Sequence, residues 1–164
     1  MRYFLSLGSN LGDRKKNLER AAEMLSEAGM RIVSASSVYK TAPVGIVADF
    51  WFYNQVLEVE TSFVPEELLV QVKRIEDQMG RVHVGCLSSR SIDIDILLAG
   101  EKTVSTKILQ IPHPRMAERN FVLCPLAEIA PEVKHPVLNE KIKDLLEKSK
   151  DRSYVKKLYM DCLP

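Results

Sequence analysis

Two carboxylates, Asp93 and Asp95, stand two residues apart within the apolar run RSIDIDILLAG, Arg90 to Gly100. Ile92, Ile94, Ile96 and Leu98 alternate with Ser91, Asp93, Asp95 and Leu97, a period of two that predicts a β-strand with both aspartates on one face. Aspartate is disfavoured in strand interiors, and carboxylates roughly 6.5–7 Å apart along a strand repel each other unless cations lie between them. Hard oxygen donors in this arrangement suit Mg²⁺ shared with substrate phosphates; a solvated sheet face with incidental acids is the alternative at this point. Arg81 and Arg90 bracket a loop beside the same strand, where guanidinium groups supply cations for phosphate oxygens.

A second chemical cluster lies in TAPVGIVADFWFYN, where Phe50, Trp51, Phe52 and Tyr53 directly precede Asn54. Some of these rings belong in a core; the surplus points to a flat ligand stacked on an aromatic side chain. Asn54 either reads the edge of such a ligand, since its amide both donates and accepts, or bonds the backbone at a strand start. His113, between prolines in IPHP, is a turn histidine or a phosphate contact. LGSNLGD, Leu7 to Asp13, lacks the Lys-Ser/Thr of a P-loop and the G-x-G-x-x-G spacing, and reads as a strand-to-helix turn.

The elements that must position these residues follow from periodicity. RYFLSLGSN is a strand with Tyr3, Leu5 and Leu7 on one face, ending at Gly8, and Asp13 caps a helix with Leu18, Ala21, Ala22, Leu25 and Ala28 inward. MRIVSASSVYKT and NQVLEVETS are strand-like, and Pro65 with Glu66 and Glu67 opens a second helix that Gly80 ends. Strand, helix, strand, strand, helix, strand is the α+β, ferredoxin-like βαββαβ order: an antiparallel sheet with both helices on one face. Ile92, Ile94 and Ile96 then lie under the helices, with Asp93 and Asp95 on the face the helices leave open. The residues after Gly100, with a short helix near Leu138 to Lys148, form a C-terminal annex over the sheet.

At 164 residues and 46% apolar composition the chain fits one domain, residues 1–164, with 150–164 as a peripheral tail. A net charge of +1 gives no global attraction to nucleic acid or anionic lipid, so any anion site is local. Cys86, Cys124 and Cys162 are odd in number and form no C-x-x-C, which indicates neither a disulfide framework nor a zinc site and makes a reducing cytoplasm the expectation. The apolar stretch of MRYFLSLG is too short for a signal peptide and no run approaches the roughly 18 apolar residues of a membrane span, so neither is expected.

Several segments together resemble the 6-hydroxymethyl-7,8-dihydropterin pyrophosphokinases of folate synthesis: LSLGSNLGDR, SSVYKTAPVG, FYNQVLEVET, PEELL with RIEDQMGR, RSIDIDILL and IPHPRMAERNFVLCPLAEIAP, in order across residues 3 to 132. The resemblance implies transfer of a pyrophosphoryl group from ATP to the pterin hydroxymethyl oxygen with release of AMP and two Mg²⁺ ions as cofactors. The expected setting is a monomer in the cytoplasm with neither nucleic acid nor membrane as a partner. It implies that Asp93 and Asp95 bind both metals and that Arg81 and Arg90 contact the ATP phosphates as the catalytic cations. Lys73, Glu76, Ile96, His113 and Arg119 fall at positions that hold ATP. The resemblance further implies that Phe52 and Phe121 sandwich the pterin, that Asn54 reads its edge, and that Thr41, Ala42 and Val44 line its pocket, with Asp95 reaching the same substrate. The sequence departs from the family's pattern over residues 82–89, where His83 replaces a second basic residue and Leu87, Ser88 and Ser89 replace Trp-Gly-Pro. Two other classes carry related features: nucleotidyl transferases and cyclases, which place two aspartates on a similar sheet but attack the α-phosphorus, and RNA-binding modules of like topology, which carry aromatics where these acids stand.

Overall fold

The strand that opens the chain is buried along almost its whole length. In a computed structural model describing residues 1–43, 51–80 and 91–159, Tyr3, Leu5 and Leu7 alternate on β1 (Arg2–Ser9) and are completely buried. β1 pairs antiparallel with β4 (Phe52–Glu60) on one side and β5 (Asp93–Ala99) on the other. β3 (Val38–Thr41) and β8 (Val155–Leu158) complete the order β5-β1-β4-β3-β8, and β2 (Arg31–Ala35) also pairs with β4.

The expected second strand, Met30 to Thr41, is divided into β2 and β3 at Ser36–Ser37. Ser36 supplies the reason. Its hydroxyl accepts from Val56 N–H at 2.9 Å and donates to Ser37 O, so a side chain takes over from the ladder at the break.

Helices α1 (Arg14–Glu27) and α2 (Pro65–Gln78) cover one face of the sheet. Asp13 caps α1 by accepting from Lys16 N–H at 3.1 Å, and Gly29, at φ +95°, turns the chain out of the helix where a side chain would be strained. Glu67 takes the Val64 N–H at the start of α2. Leu18, Ala21 and Leu25 of α1 and Leu68, Val72 and Ile75 of α2 pack on Tyr3, Leu5, Leu7, Leu57, Ile94 and Ile96. Each large side chain fully buried there contributes about 1.5–3 kcal/mol.

The opposite face is partly covered by α3 (Asn120–Ile129) and α4 (Ile142–Lys148), whose Val122, Leu123, Leu126, Ile142 and Leu145 pack with Phe4, Val56, Leu97 and Leu98. Here the alternation expected through Leu98 fails. Phe4 pairs with Leu98 but Leu5 pairs with Ile96, so Leu97 is a bulged extra residue and Leu98 passes to the α3 side. The bulge leaves Asp93 and Asp95 in phase with one another. A small hairpin, β6 (Val104–Ser105) with β7 (Gln110–Ile111), returns the chain so that His113 N–H donates to Leu97 O at 3.0 Å. Among the described residues no helix is long and apolar enough to cross a membrane.

Candidate active site

Strand register assembles the site. Asp93 lies opposite Gly8, Gly8 opposite Asn54, and Asn54 opposite Tyr39, one row across four strands; Asp95 lies opposite Ser6 in the next row. The pleat puts these residues on the face opposite α1 and α2, beyond the end that α3 and α4 cover.

The Asn54 amide is fixed from both sides. Its Nδ2 donates to Thr41 Oγ1 at 2.5 Å, and a Cβ placed on Gly8 would come within 2.7 Å of its Oδ1. Glycine is required here because a side-chain oxygen occupies the space above its Cα. Of the two expectations for Asn54, backbone bonding at a strand start does not occur; the partner is a hydroxyl of the adjacent strand. Phe52, half-buried, is the first residue of the same strand and lies opposite Thr41. Phe121 opens α3 beside Arg119, whose guanidinium sits 5.5 Å from the ring centroid.

The acidic side of the row is electrostatically strained. The Asp95 carboxyl is pushed up to about 7, by burial first and then by Asp93 and Glu76, while Lys73 and Arg119 pull it down. Its side chain nonetheless keeps 40% of its exposure, so an open edge faces solvent. Carboxylates crowded this way favour a cation. His113 lies with Nε2 4.0 Å from Asp95 Oδ2, and its Nδ1 accepts from Arg115 N–H at 3.2 Å, which leaves Nε2 to carry the proton of the neutral ring. Burial, then Arg119, lowers the His113 pKa, although Asp93 opposes them. His113 is thus a turn histidine through one nitrogen and faces the acidic pair through the other.

Glu76 is completely buried on the helix side of β5. Its Oε1 accepts from Ile94 N–H, between the two aspartates, at 2.8 Å, and its Oε2 lies 3.3 Å from Lys73 Nζ. Ile96 is not brought to the carboxylate face: its side chain belongs to the core beneath the helices. Val44, Arg81 and Arg90 lie outside the described residues, as do His83 and Cys86. His135 is a buried turn histidine whose Nδ1 accepts from Val137 and Leu138 N–H.

The model of the 7,8-dihydro-6-hydroxymethylpterin-pyrophosphokinase (HPPK) family matches residues 4–131. The chain belongs to that family. Among HPPK relatives, a 2-amino-4-hydroxy-6-hydroxymethyldihydropteridine pyrophosphokinase of Aquifex aeolicus is 40% identical over 141 residues, 86% of this chain and 88% of its own length. One from Bacillus subtilis is 42% identical over 131 residues, covering 79% and 78%. The folic acid synthesis protein fol1 of Pneumocystis carinii is 41% identical over 90% of this chain, which spans only 20% of that longer protein. Solved HPPK-DHPS structures from Plasmodium falciparum share the fold: one with pteroate has a TM-score of 0.73 at 20% identity, covering 90% of this chain and 44% of that one.

Three features of this region carry little or no signal in the sequence. Gly8 stands where the sequence predicts a strand end, although a glycine inside a strand pattern also signals close approach of another group. Tyr39, whose OH donates to Glu128 Oε2 at 2.5 Å, and Asp151, which accepts from Asn120 N–H at 2.8 Å, join elements far apart in sequence and carry no local signal.

Proposed function

We propose that the Asp93–Asp95 face of the sheet is where this HPPK chain performs its reaction. The family's reaction is transfer of the pyrophosphoryl group of ATP to the hydroxymethyl oxygen of 6-hydroxymethyl-7,8-dihydropterin, in folate synthesis. A bond forms between that oxygen and the β-phosphorus as the bridge from the α-phosphate breaks, the hydroxyl proton is lost, and AMP leaves.

The observation that carries the assignment is the row Asp93–Gly8–Asn54, which leaves a single strand, β1, between the acidic pair and a fixed amide. On this reading Asp93 and Asp95 hold two Mg²⁺ ions. The donor set fits: two hard carboxylates, one crowded toward its neutral form, form an open partial shell, and no group of three or more His, Cys, Asp or Glu donors completes a cage among the described residues. Mg²⁺ commonly keeps waters and shares substrate phosphates. When bound it supplies charge neutralisation of the phosphate oxygens.

The remaining roles belong to side chains. Arg119 and the Nε2–H of His113 donate to phosphate oxygens, with Arg81, Arg90 and Lys73 adding positive charge along the triphosphate. Glu76 contributes to ATP binding by holding Ile94 and so the spacing of the aspartates. Ile96 serves from the core rather than by side-chain contact. Phe52 and Phe121 stack the pterin, Asn54 reads its edge, and Thr41, Ala42 and Val44 close the pocket. Transfer of this kind is mostly alignment and electrostatic stabilisation, which suits a site with these groups.

The strand order supports the finer fold reading, a ferredoxin-like βαββαβ core whose second strand is divided, enlarged by β8 and the α3–α4 annex into one catalytic domain. We take the protein to act as a monomer in the cytoplasm. Phosphorus NMR of ATP incubated with the chain, Mg²⁺ and the pterin tests the reaction: AMP and a pterin diphosphate should appear together, whereas free pyrophosphate would overturn it.

A further inference from the structure

We infer that Asp151 and Tyr154 are positioning residues of the pterin pocket, clasping its two walls from a segment outside the residues matched by the family. The inference rests on the reading above that Phe121 and Phe52 stack the pterin. The matched residues end at 131, whereas the clasp spans Ser149–Tyr154 just ahead of β8.

One wall is the start of α3. No side chain of its own first turn caps this helix, and its N-cap residue is Arg119. Asp151 supplies the acceptor from outside. Its Oδ2 takes the Asn120 N–H at 2.8 Å and its carbonyl takes Asn120 Nδ2 at 3.2 Å, while its Oδ1 accepts from Ser153 N–H at 2.8 Å and from the Ser153 hydroxyl. A carboxylate at a helix N-terminus also opposes the positive end of the helix dipole. Asn120 directly precedes Phe121, so Asp151 sets where that ring stands.

The other wall is the β3–β4 end. Tyr154 O accepts from Ala42 N–H at 3.1 Å, and the Tyr154 ring packs on Trp51 at 5.0 Å between centroids, tilted by 58°. Ala42 adjoins Thr41, the partner of Asn54, and Trp51 adjoins Phe52. One short segment therefore touches Ala42 itself and a neighbour of each of Phe121, Phe52 and Thr41, and the pairing of Thr41 with Val155 continues the same attachment along β8.

Steady-state kinetics on the full chain tests this. Asp151→Ala and Tyr154→Ala should each raise KM for 6-hydroxymethyl-7,8-dihydropterin roughly three- to thirtyfold, the range expected for loss of a cap or a comparable contact. KM for ATP should hold, and kcat should change less than the pterin KM. Tyr154→Phe, which keeps the ring and the carbonyl, should restore the pterin KM, and Asp151→Asn, which keeps one of the two accepting oxygens, should restore it in part. The Tyr154 ring is half-exposed, so its truncation decides the matter even if Asp151→Ala does not fold. An unchanged pterin KM, or equal shifts for both substrates, overturns the clasp alone. No turnover of this pterin by the unaltered chain overturns the proposed function and the clasp with it.

Discussion

The residue that constrains the site most tightly has no side chain. At Gly8 a methyl group would meet Asn54 Oδ1 at 2.7 Å, so Gly8→Ala must displace the amide and break its bond to Thr41. We expect pterin affinity to fall by about 1–3 kcal/mol, the scale for leaving a buried polar group unsatisfied, with ATP affinity unchanged. Calorimetry with each ligand checks it, and equal losses for both would contradict the placement. Phe121→Ala should weaken pterin binding by about 1–3 kcal/mol through lost stacking; an unchanged affinity would count against its ring as a pterin contact. The acidic pair was legible in the sequence because alternation alone decides which face each aspartate takes. The partner of Asn54 was not, because Thr41 and Asn54 meet only through the pairing of β3 with β4.

At the scale of elements, α3 is tied to the sheet by a polar knot. Tyr39 OH, Ser37 N–H and the Ser37 hydroxyl all donate to Glu128, with Lys157 Nζ 3.7 Å away. Burial tends to raise the Glu128 carboxyl, but hydrogen bonds from Tyr39 and Ser37 together with the charge of Lys157 hold it below its ordinary 4.5. A carboxyl lowered in the folded state contributes stability above about pH 4.5, and that stability is lost as pH falls through its folded value. Glu128→Gln should therefore cost about 1–3 kcal/mol at pH 7 and progressively less below about pH 4. Thermal melts of both forms across that range check it, and a constant difference would contradict it. Helices α1, α2 and α4 and the strands from β1 to β5 were legible in the sequence, whereas α3, with Pro125 inside it, was not. The bulge at Leu97 was not, because it exists only against β1, and the division at Ser36 was not, because it depends on Val56 N–H finding a hydroxyl. β8, four residues long with two lysines, has no pattern of its own and forms because β3 offers an edge.

For the whole molecule, one face of the sheet is packed under α1 and α2, while the other is packed by α3 and α4 over Phe4, Val56, Leu97 and Leu98 and leaves the Asp93–Asp95 end, the proposed site, open. Core burial on both faces leaves this open end to hold like charges close together, a cost that fits the cation proposed above. Light scattering should give a mass near 18.6 kDa in solution, and a stable dimer would contradict the monomer proposed above. The division of faces also predicts that the aspartates can be removed without unfolding the chain. The most direct test is Mg²⁺-dependent turnover of ATP and pterin by Asp93→Ala and Asp95→Ala, each beside its melting temperature. Turnover should fall by roughly a thousandfold or more, since metal-assisted charge stabilisation is worth several kcal/mol, while the melting temperature holds or rises as repulsion is relieved. Near-normal turnover in both variants would contradict the placement of the reaction on this face.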